Sequence, residues 1–333
     1  MNRNKIRFGM VGTNFITDWV IAGGQEDERF ELTAVCSRSE ETARTFAAKH
    51  AIPHTFTSLE AMAESPLIDA VYIASPNALH AAQSILFMQH GKHVLCEKAF
   101  ASNAVEVRQM IESARKHRVV LMEAMKSTFT PGFRAAREAL PEIGAIRHYF
   151  AGYCQYSSRY DKLKAGTVLN AFNPVLSNGA TMDIGIYTLY PMVVLFGRPR
   201  TIQATGIMLY SGVDGHACVN FAYDNGLNAT VIYSKIADSQ LPTEILGEEG
   251  CIRLDRINII SDVTLTFRSG EKKKLFTHMG KNDYYYELAE FMDLIESGHT
   301  ESTVNSLENS LITIEIIDEI RRQLGVVFPA DEK

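Results

Sequence analysis

Over the first 125 residues, short runs that are almost wholly apolar alternate with helical patterns, and that beat leaves few folds open. Residues 6–11, 32–37, 70–74, 93–97 and 119–123 read as strands, and strands without polar alternation belong in a sheet covered on both faces. Helix starts lie between them: Ser39 before Glu40-Glu41-Thr42, Ser58 before Leu59-Glu60-Ala61, and Ser102 before Asn103-Ala104-Val105-Glu106. Strand, helix, strand at this spacing gives right-handed crossovers. The fold class expected is therefore α/β, with residues 1–124 forming a doubly wound parallel sheet of the Rossmann type.

After Glu123 the beat changes to longer alternating stretches at 146–155, 201–209, 216–223, 228–235, 243–246 and 263–267, which suggest a large, mainly antiparallel open sheet. A helix over 182–196 and two closing helices over 283–297 and 307–324 are expected to cover one face of it. Turns are marked by Gly197-Arg198-Pro199, Asp224-Asn225-Gly226 and Ser269-Gly270. A chain of 333 residues favours two cores over one. Residues 125–333 are thus read as a second domain, of α+β class.

Charge narrows the partners. With a net charge of -6 and a pI near 6.0 there is no basic field for nucleic acid. The start, MNRNKIRFGMV, runs straight into a strand-like segment without the apolar region of a signal peptide, so a cytoplasmic protein is expected. Continuous apolar stretches such as 192–196 fall far short of a membrane span, and no membrane insertion is expected. Cysteines 36, 96, 154, 218 and 251 contain no C-x-x-C pair and make an odd total, which argues against disulfides or structural zinc. His90 and His93 flank Gly91 with no third ligand nearby, and no metal is expected.

The segment IRFGMVGTNFI reads as a buried strand, a glycine turn and a helix, the arrangement that presents a helix N-terminus to a pyrophosphate. Against G-x-G-x-x-G/A only Gly12 is in place, with Asn14 and Thr17 at the other two positions. Asn14 tolerates the left-handed backbone region, which would let it keep the turn with its side chain beside a phosphate. Gly12, Thr13, Asn14, Phe15 and Ile16 are the candidate phosphate residues, although such turns also occur where nothing binds. At the end of the second strand stand Cys36, Ser37 and Arg38, where NAD enzymes usually carry a carboxylate. A hydroxyl and a guanidinium suit a 2'-phosphate, favouring NADP over NAD. The competing reading makes Arg38 a solvated cation and Ser37 and Ser39 helix caps.

Three further segments, Ala74-Ser75-Pro76-Asn77 with His80, Cys96-Glu97-Lys98-Ala99, and Asn178-Gly179-Ala180-Thr181-Met182-Asp183-Ile184-Gly185-Ile186-Tyr187, together resemble the Gfo/Idh/MocA oxidoreductases. The look is closest to the branch containing the dimeric dihydrodiol dehydrogenases, and the match runs through essentially the whole chain. The resemblance implies that Ser75, Pro76, Asn77, His80 and Glu97 lie at the cofactor. It also implies that Lys98 sits beside the nicotinamide and the reacting hydroxyl, where a cation stabilises a developing alkoxide. Ala99 replaces the family's proline. Where many members have a histidine four residues after the motif aspartate, this chain has Tyr187 after Asp183, as that branch does. On a helix the two share a face, so Tyr187 is expected to exchange the substrate's proton; helix packing of Tyr187 and capping by Asp183 are the competing readings.

A polar, aromatic stretch at 153–160 resembles a wall for a polyhydroxy substrate; Tyr156, Arg159 and Asn173 are its candidate contacts beside Lys98, Asp183 and Tyr187. Lys126 and Thr128 stand where relatives carry an aromatic residue and an arginine, a difference expected to bear on substrate choice. The leading function is NADP-dependent hydride transfer to or from a carbinol carbon of a sugar, polyol or diol. The alternatives are a non-catalytic nucleotide or sugar sensor and a redox-neutral enzyme with tightly held NAD(P). The resemblance further implies a homodimer or higher homo-oligomer paired through the open sheet face.

Overall fold

The structure, a computed structural model, describes residues 5–278 and 280–332. The chain divides into two compact units, the first made of Met1–Lys126 with Lys281–Ser310 and the second of Ser127–Gly280 with Leu311–Lys333.

In the first unit, β1 (Ile6–Val11), α1 (Phe15–Gly24), β2 (Phe30–Cys36), α2 (Glu40–His50), β3 (His54–Phe56), α3 (Leu59–Glu64), β4 (Ala70–Ile73), α4 (Asn77–Gln89), β5 (His93–Glu97), α5 (Ala104–His117) and β6 (Leu121–Ala124) follow one another along the chain. The six strands pair in parallel in the order β3-β2-β1-β4-β5-β6, the doubly wound order expected. Short β3 was not legible because its His54 and Thr55 are exposed at the sheet edge. The apolar strands are buried on both faces: Phe8, Met10, Val71, Tyr72, Ile73, Val94 and Leu95 have no exposed surface. Each of three helices begins on a side-chain cap, with Asn14, Ser39 and Asn103 accepting N–H groups of Ile16, Thr42 and Glu106. The cap of α5 is thus Asn103, one residue beyond the Ser102 read from the sequence.

The second unit contains α6 (Pro131–Glu138), β7 (Ile146–Cys154), α7 (Tyr160–Lys164), α8 (Ile186–Phe196), β8 (Thr201–Met208), β9 (Asp214–Ala222), β10 (Asn228–Ser234), β11 (Thr243–Gly247), β12 (Gly250–Leu254), β13 (Asp262–Phe267) and β14 (Lys272–Thr277). Its eight strands run β14-β13-β12-β11-β7-β10-β9-β8, and every pairing is antiparallel except β10 with β7. Period-2 burial defines the covered face. Ala217, Val219 and Phe221 of β9, Ala229, Val231 and Tyr233 of β10, and Tyr149 and Ala151 of β7 are all buried. Helix α8 lies on that face, with Tyr149 donating a hydrogen bond of 3.1 Å to the Thr188 carbonyl. The apolar segment Pro174–Phe196 has the length of a membrane span, but it is 72% buried within the fold, as a core helix is.

One closing helix departs from expectation. The sequence reading placed 283–297 over the second sheet, whereas α9 (Asp283–Ser297) belongs to the first unit and lies along α1. Gly23 makes the approach possible, since a Cβ there would stand 2.7 Å from Cβ of Tyr284. The buried Arg29 guanidinium fastens it, reaching Asp293 at 2.5 Å and Glu296 at 2.9 Å while Asp27 holds its other edge. Helix α10 (Leu307–Leu324) follows, and its residues from Leu311 onward belong to the second unit.

Candidate active site

The nucleotide turn is built by residues from two adjacent strand ends. Gly12 has φ +105, and a Cβ there would lie 2.8 Å from the Ala74 carbonyl oxygen, so only glycine lets the chain pass. Asn14 differs from the expected role. Its backbone is extended (φ -88, ψ 176), not left-handed, and its side chain is engaged twice. It accepts the Ile16 N–H at 2.8 Å and donates to the Ala74 carbonyl at 2.9 Å. The Ile16 N–H, expected at a phosphate, is therefore already paired. Thr17, at the third fingerprint position, is fully buried and its hydroxyl donates to the Gly12 carbonyl at 3.1 Å. Glycine, tight turn and helix N-terminus still form a cradle that fits a dinucleotide pyrophosphate.

At the end of β2, Arg38 is exposed and, among the described residues, pairs with no carboxylate. Ser39 caps α2, whereas the Ser37 N–H bonds to the Phe56 carbonyl at 3.1 Å. The serine that caps the helix is thus not the one placed at a 2'-phosphate. Ser75 and Pro76 are half-buried, and the Ser75 hydroxyl donates to Gln83 at 2.7 Å. Asn77 is buried at the start of α4.

His80 is not a surface ligand. It is fully buried, with Nε2 2.8 Å from the Ser75 carbonyl and Nδ1 2.9 Å from the Ala99 carbonyl. It therefore ties the Ser75-Pro76-Asn77 turn to the segment carrying Lys98, with a carbonyl at each ring nitrogen. Burial pulls the His80 pKa down. The peptide between Lys98 and Ala99 is cis.

Lys98 is half-buried at the end of β5, where ligands collect in doubly wound sheets. Beneath it lies a set of carboxyls that the sequence reading did not find. Glu97 accepts hydrogen bonds from the Tyr72 hydroxyl and from the Lys98 N–H, and burial raises its pKa while Lys98 and Lys126 oppose the rise. Burial pushes the Glu123 carboxyl up to about 8, although it accepts the Phe100 N–H at 3.0 Å. Glu287 of α9 is fully buried, and neither carboxyl oxygen has a hydrogen-bond partner among the described residues. Loss of hydration, with Glu97 and Asp283 adding to it, raises its pKa well above the usual range. Lys126, whose difference from relatives was expected to bear on substrate choice, is buried in an ion pair with Asp283 at 3.1 Å, its Nζ 5.2 Å from the Tyr284 ring centre. Thr128 is buried as well.

Glu287 gives the first unit a pH dependence whose sign is fixed. Its folded pKa lies above the unfolded value, so folding is favoured where the acid is protonated and loses free energy as pH rises through the folded value. The Glu287→Gln variant is expected to melt a few degrees above the parent at about pH 8 and level with it near pH 4. Equal melting at both values, read by calorimetry, would show that burial does not raise the Glu287 pKa.

In the second unit, the plain helix expected over 182–196 begins as a π turn at Thr181–Gly185 that leads into α8. Such turns recur at functional positions because they re-aim side chains without ending the helix. From Thr181 to Tyr190 every residue is buried except Asp183 and Tyr187, which are half-exposed. The two share the accessible side of a run that is otherwise core. The turn is held from below, since buried Asp214 accepts the Thr181 N–H at 2.8 Å and its hydroxyl at 2.7 Å, and that hydroxyl meets the Tyr233 hydroxyl at 2.9 Å. The Tyr187 ring stands edge-on to Tyr153, centres 5.6 Å apart. Asp183 forms an ion pair with Lys235, a residue the sequence reading placed only as the end of a strand.

The remaining substrate candidates are engaged locally. The Tyr156 hydroxyl donates to Asp161 at 2.8 Å and accepts from Lys164 at 2.7 Å, and Arg159 is exposed beside α7. The Asn173 side chain accepts the Val175 N–H at 3.0 Å, the behaviour of a turn asparagine. An aromatic series nevertheless links this region to Asp183. Tyr156 meets Tyr160 edge-on at 5.5 Å, Tyr160 lies tilted against Phe172 at 5.9 Å, and Lys235 Nζ lies 5.1 Å from the Phe172 ring.

Comparison with known proteins shows the family and the fold. Residues 6–125 match the oxidoreductase family with an NAD-binding Rossmann fold, and residues 133–253 match the GFO/IDH/MocA C-terminal domain. The chain is 51% identical to scyllo-inositol 2-dehydrogenase (NADP(+)) IolU of Bacillus subtilis, over 98% of this chain and 99% of that one. It is 32% identical to a trans-1,2-dihydrobenzene-1,2-diol dehydrogenase of Danio rerio, over 92% of each. Among solved structures, levoglucosan dehydrogenase in complex with NADH and levoglucosan shares the fold, with a TM-score of 0.83 at 19% identity over 97% of this chain and 98% of that one. The chain is a member of the Gfo/Idh/MocA family of oxidoreductases, with an NAD-binding Rossmann fold in its N-terminal half.

Proposed function

We propose that the protein is an NADP-dependent dehydrogenase of a cyclic polyol, with scyllo-inositol as the representative substrate. The observation that carries this reading is the pair Asp183 and Tyr187, the only accessible side chains of a buried run, in a chain 51% identical to an NADP-dependent inositol dehydrogenase. When bound, the nicotinamide supplies the acceptor for the hydride that leaves the carbinol carbon. Tyr187 takes the hydroxyl proton and the Lys98 ammonium stabilises the oxygen as it becomes a carbonyl. Asp183 accepts a hydrogen bond from a substrate hydroxyl and so orients the ring. Glu97, bonded to the Lys98 N–H and to Tyr72, holds the lysine's backbone in place.

Arg38 supports the preference for NADP, being an exposed guanidinium at the end of β2 where a ribose-binding carboxylate is absent. Fluorescence titration is expected to show NADPH binding about tenfold or more tighter than NADH, and Arg38→Ala to remove most of that difference. A turnover assay with NADP+ and scyllo-inositol then tests the activity; no absorbance change at the nicotinamide band with any cyclic polyol would overturn the reading. The exposed Ile207, Met208 and Tyr210 at the end of β8 support a homodimer through the open sheet face. Sedimentation as a single 37.1 kDa species would refute it. The five cysteines are free, in keeping with a cytoplasmic protein.

A further inference from the structure

Lys235 occupies a position where lysine is costly. The buried side chains of β10 alternate as Ala229, Val231 and Tyr233, and Lys235 continues that face one residue beyond the strand. Its side chain is 4% exposed, yet the carboxyl it meets, that of Asp183, is 30% exposed. Nζ also donates to the Ala171 carbonyl at 3.2 Å and lies over the Phe172 ring. Its backbone is fixed too, because the Lys235 N–H bonds to the Gly215 carbonyl at 2.8 Å and its own carbonyl accepts the Ser157 N–H at 2.9 Å. A buried ion pair is rarely worth more than apolar side chains of the same size, so stability gives no reason for an ammonium here.

We propose that Lys235 is a positioning residue for the reaction, clamping Asp183 as an anion on the accessible side it shares with Tyr187. Asp183 is thereby confined to accepting hydrogen bonds from the substrate, and the proton is left to Tyr187. The inference rests on the reading that Asp183 and Tyr187 serve the substrate. Other titratable groups lie around the pair. Asp214 of β9 is close enough for its charge to be felt with that of Lys235, and His216 of β9 and Tyr233 of β10 neighbour Asp214. Tyr187 of α8, edge-on to Tyr153 of β7, shares the accessible side with Asp183. Asp214 competes for the ammonium's field, but its Oδ2 already accepts both the Thr181 N–H and hydroxyl, and burial raises its pKa.

The test compares the full-length protein with Lys235→Met, Lys235→Arg, Asp183→Asn and the double variant Lys235→Met/Asp183→Asn. Each is assayed for kcat/KM across pH with NADP+ and scyllo-inositol, or with whichever cyclic polyol the activity panel selects. Lys235→Met is expected to bind NADPH as the parent does, to lose about a hundredfold in kcat/KM at neutral pH, and to begin its acid-side decline at higher pH. Lys235→Arg should recover most of the loss, and the double variant should be no worse than Asp183→Asn. A parental pH profile in Lys235→Met, or defects that multiply in the double variant, would overturn the proposal while the site reading stands. Wild-type turnover by Asp183→Asn would instead remove the site reading itself. Should Lys235→Met fail to fold, Lys235→Gln, which keeps a donor without the charge, carries the same comparison.

Discussion

Replacing Lys98 by alanine is expected to lower kcat/KM by about a thousandfold while NADPH affinity changes by no more than about threefold. The expectation rests on where the structure spends its contacts. The turn that cradles a pyrophosphate is closed by Gly12, Asn14 and Ala74, none of which involves the Lys98 side chain. That side chain is a half-buried ammonium at the end of β5, close enough for its field to oppose the rise in pKa at both Glu97 and Glu123. Removing it takes positive charge from a poorly hydrated place without opening the nucleotide turn. Nucleotide binding and turnover should therefore separate cleanly. A variant that binds NADPH and turns over at the parental rate would remove Lys98 from the chemistry.

The second large effect is at Tyr187. Tyr187→Phe should fold as the parent does, because the ring's edge-on contact with Tyr153 survives loss of the hydroxyl. Turnover is expected to fall by about a hundredfold or more, with little change in KM, since what is lost is a proton acceptor. The pH profile supplies a second reading. If the phenol carries the proton, the alkaline-favoured limb of the oxidation rate should flatten in Tyr187→Phe. Retention of that limb at full amplitude would assign the proton to another group and leave Tyr187 as packing.

How far the sequence led differs between the two halves of the molecule. In the first unit, strands without polar alternation and side-chain caps at helix starts are local signals, and five of the six parallel strands were legible from them; only the edge strand β3, two of whose three residues are exposed, was not. In the second unit, β12 and β14 were missed for a related reason. Gly250-Cys251-Ile252-Arg253-Leu254 is short, and β14 opens on three exposed lysines, so neither carries a strong apolar period. The site was legible as a set of residues and much less so as a set of contacts. Gly12, Lys98, Asp183 and Tyr187 could be named, but the carbonyl contacts of His80 could not, because its two partners lie 5 and 19 residues away along the chain. Lys235 did leave a trace, being the charged continuation of a buried alternation, and a lysine on a core-facing register is itself a signal of a buried partner.

The sequence by itself determined the period of most strands and helices, the glycine that lets β1 turn into α1, and the motifs that mark the family. These depend on backbone preferences and burial patterns that repeat within a few residues. Tertiary structure alone decided that α9 joins the first unit, through a guanidinium whose partner Asp293 is 264 residues distant, and that the Asp183 helix opens with a π turn. It also decided that Glu287 is buried with no hydrogen-bond partner among the described residues while Asp183, in the second unit, is buried in part with an ammonium as its partner. Local period fixes which face a side chain occupies. The charge it can carry there depends on neighbours brought from distant parts of the chain, because in a poorly hydrated interior those few neighbours replace water.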